Sequence, residues 1–319
     1  KMLNGTLASK GISVTDGAVT SLTNTAITVT GTGEAIGILA DAGSTVKAEG
    51  MTTVNAATAL EIGSDASTIT INNLGQGTTQ LTGNLIGTGD TSASAMTVTL
   101  DTANSFLTGM TANHNQTINL SLTNGAVWNV TGDSTLTNLE NDSTLNMNYT
   151  GVKGELITTT RMSGKGNINM NLDWNTNQGA KQATDSSDYI NVTGSGTGAQ
   201  SITFDREAAH LLNMDYGNKL YFATVADGDL TFNSATNLVI PRAGKFYDYV
   251  YGIGNDVTGT SKDWYIGLTG KPENGTPGVI GDFTYDAYAM GTELDRLNKR
   301  MGESRYLEED GAGAWVRVK

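Results

Sequence analysis

The sequence predicts an all-β chain wound as a right-handed parallel β-helix, a solenoid. Three observations carry that expectation. Most of the first 180 or so residues fall into short apolar–polar–apolar runs, each ended by a turn former such as Gly31, Gly63, Gly132 or Asn141. Only 38% of the residues are apolar, whereas 48 are Thr and 40 are Gly, so the fold must hold together while burying little hydrophobic area per residue. No segment before about residue 280 has a 3.6-residue apolar period with helix caps.

The runs come in order along residues 1–185. Examples are Ala26-Ile-Thr-Val-Thr30, Ile36-Gly-Ile-Leu39, Ser67-Thr-Ile-Thr-Ile71, Ala95-Met-Thr-Val-Thr-Leu100 and Thr117-Ile-Asn-Leu-Ser-Leu122. They continue as Ala126-Val-Trp-Asn-Val130, Ser134-Thr-Leu-Thr-Asn-Leu139, Ser143-Thr-Leu-Asn-Met147 and Asn167-Ile-Asn-Met-Asn-Leu172. In a coil, each run stacks on the one below at about 4.8 Å. The core is then a narrow column of Val, Ile and Leu, with Thr, Asn and Gly outside. Rungs of roughly 20–25 residues fit the spacing, without fixed boundaries. A β-sandwich needs many hairpins, and the Asn-Gly signals (Asn4-Gly5, Asn124-Gly125, Asn274-Gly275) are too few to supply them.

From about Ser186 the texture changes. Ser187-Asp-Tyr-Ile-Asn-Val-Thr193, Gln200-Ser-Ile-Thr-Phe204, Lys219-Leu-Tyr-Phe-Ala-Thr-Val225 and Asp229-Leu-Thr-Phe232 are followed by Lys245-Phe-Tyr-Asp-Tyr-Val-Tyr-Gly252 and Lys262-Asp-Trp-Tyr-Ile-Gly267. Aromatic strands of this kind predict antiparallel pairing over residues 186–270. Such a module would cover the open end of the coil, whose unpaired N–H and C=O groups otherwise invite aggregation. Lys271-Pro-Glu-Asn-Gly-Thr-Pro-Gly278 reads as a linker. Within 271–310, residues 284–307 read as a helix with Leu294, Leu297 and Met301 on one narrow stripe; Glu293, Asp295, Arg296, Lys299, Arg300 and Glu303 lie elsewhere on it. Residues 311–319 end in Ala314-Trp-Val-Arg-Val-Lys319, whose strict alternation is that of a first membrane-barrel strand.

Composition excludes several classes of function. The formal net charge is −13, and from Gly11 to Val152 the single basic residue, Lys47, stands against eleven acids. Binding to nucleic acid or to anionic lipid needs Lys and Arg against phosphates, so neither is expected as a partner. With no Cys there is no disulfide, no thiolate metal site and no Cys nucleophile, and two His make no His-rich metal site. No cofactor is expected. The chain has no run of about 18 apolar residues, and Lys1 opens no signal peptide, so it reads as starting inside a longer precursor.

Residue patterns that suggest catalysis each have a plainer reading. Gly132-Asp-Ser134 has the form of an esterase nucleophile tripeptide, and Glu207 stands three residues before His210. The tripeptide lies inside a strand–turn repeat, so Asp133 and Ser134 are expected to form a turn. Gly31-Thr-Gly33 with Gly37 lacks the third glycine and the helix of a dinucleotide loop. Asp41 and Glu61 are about one rung apart and could stack as a glycosidase carboxylate pair, with Lys47 the nearest cation. Solvated rung surface is the expected alternative. His114 is expected in an exposed loop and Trp128 in rung packing. The chain is expected not to be an enzyme.

Four motifs in order carry a resemblance. They are Trp128-Asn-Val-Thr-Gly-Asp-Ser-Thr-Leu-Thr-Asn-Leu139; Tyr189-Ile-Asn-Val with the following Thr-Gly; Tyr247-Asp-Tyr249 with Trp264-Tyr265; and Asp295-Arg-Leu-Asn-Lys-Arg-Met-Gly-Glu303 ending in Gly313-Ala-Trp-Val-Arg317. Over roughly 126–319 the chain resembles the passenger of a type V autotransporter, of the pertactin or diffuse-adherence adhesin kind. The resemblance implies an autochaperone module with Tyr189, Phe246, Tyr247, Tyr249, Trp264 and Tyr265 at its core. It also implies a linker helix whose Leu294, Arg296, Leu297, Arg300 and Met301 sit in the pore of the precursor's own outer-membrane β-barrel. The family's Asn-Asn scission pair is missing, since Asn298 stands between Leu297 and Lys299. The implied function is non-catalytic adhesion at the bacterial cell surface or outer membrane, or after release from it. It would serve host-cell attachment, self-association or biofilm formation. Partners would be a host-cell receptor, protein or glycan, or a second copy on a neighbouring cell. The alternative is a β-helical scaffold for an enzyme or toxin activity in or upstream of this segment.

Overall fold

A computed structural model describes residues 9–31, 34–75, 77–90, 93–151, 154–240, 249–270, 285–294 and 296. The chain divides into two compact units, one of Lys1–Val239 with Val250–Gly270 and one of Ile240–Tyr249 with Lys271–Lys319. The first is a single long, mostly parallel sheet with few helices, the pairing pattern of a β-solenoid.

Its strands form three parallel ladders that the chain visits in rotation. Residues 9–14, 35–40, 58–62 and 84–87 stack in the first. Residues 19–23, 45–49, 68–71, 95–98, 117–122 and 138–141 stack in the second. The third holds residues 25–28, 52–55, 79–82, 106–108, 127–129 and 144–146. One strand, Thr45–Ile62, passes through all three without a break. The β-branched, alternating runs found in the sequence are the strands of these ladders.

Alternation fixes what lies inside. In the second ladder Leu22, Ala48, Ile71, Val98, Leu120, Leu139 and Met162 stand directly above one another. In the third, Ile27, Val54, Leu81, Leu107, Trp128, Leu145, Ile168 and Ile202 do the same. From Val54 onward the third row is at most 1% exposed, so the core is a set of continuous apolar columns. A one-residue slip in any rung would turn its apolar set outward, which pins the register.

Polar side chains also enter the interior, at the corners, where the sequence reading puts apolar residues alone. Ser44, Ser67 and Ser94 are fully buried and occupy one corner on successive rungs. Ser67 Oγ accepts from Gly43 N–H at 3.1 Å, and Ser94 Oγ accepts from Ser67 N–H at 3.1 Å. A corner N–H has no partner strand, and a hydroxyl one rung up satisfies it. Outside, amides repeat the device: Asn146 Nδ2 donates to Asn129 Oδ1 at 2.9 Å, and Asn169 Nδ2 donates to Asn146 Oδ1.

Register partners on neighbouring rungs are from 17 residues (Val127 and Thr144) to 27 residues (Thr68 and Ala95) apart in the first part of the coil. That brackets the 20–25 read from the sequence. The offsets lengthen to 32–34 near the C-terminal end, as between Ala199 and Thr231 and between Ile168 and Ile202.

Pairing does not turn antiparallel at Ser186. Tyr189–Gly196 stacks in parallel on Leu156–Ser163, Lys219–Gly228 stacks on Tyr189–Gly196, and Thr231–Ser234 stacks on Ala199–Thr203. Aromatic content is a poor guide here because Ile190 and Val192 still supply inward positions, aligned with Ala223 and Val225. Apart from an isolated Thr184–Ser187 bridge, antiparallel pairing among the described strands is where Ser261–Gly270 runs against Lys219–Gly228 and pairs with Tyr249–Thr258 as a hairpin. Gly259, with φ of +64°, opens the two-residue turn at a position that favours Gly.

In the second unit residues 285–294 are helical, inside the expected helical stretch, and Leu294 and Arg296 are exposed there. Leu297, Arg300 and Met301, the linker, the strand at 311–319, Phe246 and Tyr247 lie outside the described residues.

Leu120→Ala, which empties the middle of the second-ladder row between Val98 and Leu139, should cost about 2–5 kcal/mol. Asn146→Ala, in the outer amide row, should cost about 1–2 kcal/mol. Urea midpoints at constant slope test both, and equal losses would contradict the column picture.

Candidate functional site

The outer positions of the second ladder form a concave face. Thr97, Asn119, Asn138 and Arg161 lie in register on four successive rungs, and beside them run Thr99, Ser121, Glu140 and Ser163. Both rows line a shallow trough of about 520 Å³, which continues to Ser195 and Thr197. The side chains bond along the coil axis: Asn119 Nδ2 donates to Thr97 Oγ1 at 3.2 Å, Asn138 Nδ2 to Asn119 Oδ1 at 2.6 Å, and Ser121 Oγ to Glu140 Oε2 at 2.7 Å. Arg161 and Glu140 are exposed. The face offers amide, hydroxyl, carboxylate and guanidinium groups at rung spacing, with no aromatic ring in the trough lining.

At the C-terminal hairpin the rings cluster. Phe222 meets Phe232 edge-on at 5.4 Å between centroids, Phe232 meets Trp264 at 5.4 Å, and Tyr221 meets Tyr265 at 5.7 Å. Of the expected core, Tyr189 and Trp264 are buried, while Tyr249 and Tyr265 are half-buried. Tyr189 joins through its hydroxyl, 2.6 Å from Thr224 Oγ1, which donates to Asp263 Oδ1 at 2.6 Å. Burial pushes the Tyr189 phenol up to about 12. Phe222 and Phe232 are central members of the cluster; Phe232 shares the inward parity of Leu230, whereas Phe222 is one residue off the inward Ala223 and Val225 and is buried next to a register shift between Tyr221 and Ala223, so alternation does not reveal it. On the outer side, Lys219 Nζ donates to both Asp256 oxygens, at 2.5 and 2.7 Å, and Tyr221 Oη donates to Asp256 Oδ2 at 2.6 Å. The Lys219 bond holds the Asp256 carboxyl below its ordinary value, with Tyr221 adding to the effect.

The residues suggestive of catalysis are not brought together. Ser134 is buried; its Oγ donates to Gly132 O at 3.0 Å and accepts from Thr111 N–H at 3.2 Å, which makes it another corner serine. His210 Nδ1 is 2.8 Å from Asp173 Oδ1, and Glu207 is exposed. Asp41 Oδ1 accepts from Ser64 N–H at 2.8 Å and from Ser64 Oγ at 3.2 Å. The Ser64 backbone bond lowers the Asp41 carboxyl, whereas burial raises that of Glu61, with Glu34 adding to the rise. The cation acting on both is Lys10, while Lys47 is exposed on the second ladder between Ser21 and Thr70. Leu39 and Ile86 flank Glu61 in register, so no carboxylate stacks on it. His114 is exposed in a bend, and Trp128 is fully buried with its Nε1 donating to Gly109 O at 2.9 Å. Among the described residues, no group of three or more His, Asp or Glu is placed to hold a metal ion.

Two acids that the sequence reading did not single out are fully buried. Asp188 accepts from Glu155 N–H at 2.8 Å and from Asn171 N–H at 2.6 Å, while Glu155 Oε1 accepts from Thr150 Oγ1 at 2.8 Å. Burial pushes the Asp188 carboxyl up to about 7; the two N–H bonds oppose the rise and the Glu155 charge adds to it.

No protein-family model matches the chain, and no curated protein is significantly similar to it.

Because the folded state holds the Asp188 proton more tightly than the unfolded chain, its stabilisation is full below about pH 4 and is lost as pH rises through about 7. The span is on the order of 4 kcal/mol. Thermal melts between pH 5 and 8 should therefore show the wild type losing stability relative to Asp188→Asn, and a constant gap would refute the assignment. Trp264→Ala, which removes the ring in contact with Phe232, should cost about 3–5 kcal/mol in the same assay.

Proposed function

We propose that the chain is the C-terminal part of an autotransporter passenger and acts as a non-catalytic surface adhesin. The reading takes the coil as right-handed and displayed at the bacterial cell surface. It contacts a host-cell protein or glycan, or a second copy of itself on a neighbouring cell. The observation that carries it is the trough on the second ladder, where Thr97, Asn119, Asn138 and Arg161 and the row beside them present register-aligned polar groups. Each such contact is weak in water. Repetition at rung spacing lets many form at once, and display of many copies on a cell multiplies them further.

Two other features support the reading. The hairpin at the end of the parallel stack covers the edge of Lys219–Gly228 with a ring cluster, as an autochaperone that folds first and templates the rungs above it would. The charge of −13 and the absence of Cys suit a chain that is threaded unfolded through an outer-membrane pore and stays soluble outside. The described helix that holds Leu294 and Arg296 would then lie inside that pore.

The test is display of the chain on bacterial cells, with settling as the readout. Displayed chain should clump cells, and Asn119→Lys with Asn138→Lys should abolish clumping at equal surface density by placing like charges across the contact. Clumping or receptor binding that is untouched by these changes would sink the trough as the adhesive face. Deleting residues 249–270 should leave the coil sensitive to protease, and a coil that stays resistant would remove the folding role.

A further inference from the structure

The coil departs from its own rung spacing in two places, and both departures are at one corner. After the third-ladder strand Asn167–Asn169 the chain leaves the ladders and re-enters the first at Tyr189. After Ala199–Thr203 it leaves again and re-enters at Lys219. The two excursions carry a four-residue helix, Trp174–Asn177, and a short 3-10 turn, Leu211–Asn213. They bind each other: Trp174 N–H donates to Ala209 O at 3.0 Å, and Asn213 Nδ2 donates to Asn175 Oδ1 at 2.9 Å. Insertions at the same corner of successive rungs are where solenoids place binding loops.

A cavity of about 270 Å³ opens where they meet. Buried Met170 and Leu172 give it apolar lining, and Asn171, Asp173, Ser186, Asp205 and His210 give it polar lining. Each carboxylate is fixed at one oxygen. Asp173 Oδ1 takes Asn175 N–H at 2.9 Å and faces His210 Nδ1 at 2.8 Å, while Asp205 Oδ1 takes Glu207 N–H at 2.8 Å and Ala208 N–H at 3.2 Å. Oδ2 of each accepts no hydrogen bond from the described residues. His210 is held in the left-handed region at φ of +50°, a conformation that a non-Gly residue keeps only when its surroundings enforce it.

We propose that this cavity binds the terminal residue of a neutral glycan. Its volume is just below the usual range for ligand sites and fits one ring rather than a chain. The Oδ2 atoms of the two carboxylates held at Oδ1 accept sugar hydroxyls as charge-assisted bonds, and Met170 and Leu172 can cover the C–H face of the ring. No Lys or Arg lines the cavity, so anionic sugars and phosphates would be repelled. Backbone N–H groups occupy Oδ1 of each carboxylate, so neither presents both oxygens to a cation. The inference gives the surface-attachment reading a second, chemically distinct contact, yet it stands on different residues from the trough.

The experiment is saturation-transfer NMR on the full chain with methyl glucoside, methyl galactoside, methyl mannoside and methyl N-acetylglucosaminide. Sialic acid, glucuronate and tetramethylammonium complete the panel. At least one neutral glycoside should bind, and Asp205→Asn should weaken it about tenfold or more. Ala208→Trp adds bulk to the cavity without removing a hydrogen bond; it should abolish binding while far-ultraviolet dichroism and the unfolding midpoint stay unchanged. Asn119→Lys with Asn138→Lys should leave sugar binding intact, so loss of clumping and loss of sugar binding are separable results. No binding by any neutral glycoside, binding unaffected by Ala208→Trp, or preference for the anionic or ammonium probes would each overturn the assignment.

Discussion

Parallel hydrogen bonding from one rung to the next is the constraint on which this structure depends. It places each residue over the equivalent position of the rung before, so a side chain's neighbours are set by register rather than by nearness in sequence. Leu120 lies between Val98 and Leu139, and Asn146 between Asn129 and Asn169. Apolar columns form inside and amide or hydroxyl rows form outside from one and the same repeat. A chain poor in apolar residues can then fold, because its core is thin and its backbone groups are paired along most of the coil.

The same constraint creates two liabilities, and the chain answers each with a distinct device. At the corners, where strands stop, N–H groups would be buried without partners; Ser67, Ser94, Ser105 and Ser134 accept from N–H groups of the preceding rung. At the last rung of the first ladder a strand edge would stand open. There the pairing switches to antiparallel, and Phe222, Phe232 and Trp264 bring a density of contact that the thin coil lacks. The Lys219–Asp256 and Lys181–Asp263 pairs on its outer side are partly exposed, so they orient the hairpin more than they stabilise it.

Features outside the repeat carry the chemistry. The two excursions lengthen their rungs and bring Asp173 to His210, while Asp188 ties the return of the first excursion to Glu155. A regular rung gives no such meeting, because its outward residues face solvent and its inward ones pack in columns. The outer rows present polar groups in parallel at rung spacing, and the junction of the excursions gathers carboxylate, imidazole and apolar groups around one small open cavity.

The sequence by itself determined the fold class, and it did so through local physics. Period-2 runs of β-branched residues ending at Gly or Asn can only be short half-buried strands, and too few hairpin signals leave parallel stacking as the way to pair them. It also indicated Trp128 as packing and Asp133-Ser134 as part of a strand–turn repeat. Tertiary structure alone decided register and partners. That Ser134 serves Thr111, that Lys10 rather than Lys47 is the cation near Glu61, and that His210 meets Asp173 depend on residues 23 to 51 positions apart. The place where antiparallel pairing starts was likewise hidden, since Tyr189 and Trp264 look alike as aromatic strand residues. What separates them is whether the neighbouring strand arrives from the same or the opposite direction, and that is fixed only when the coil closes on itself.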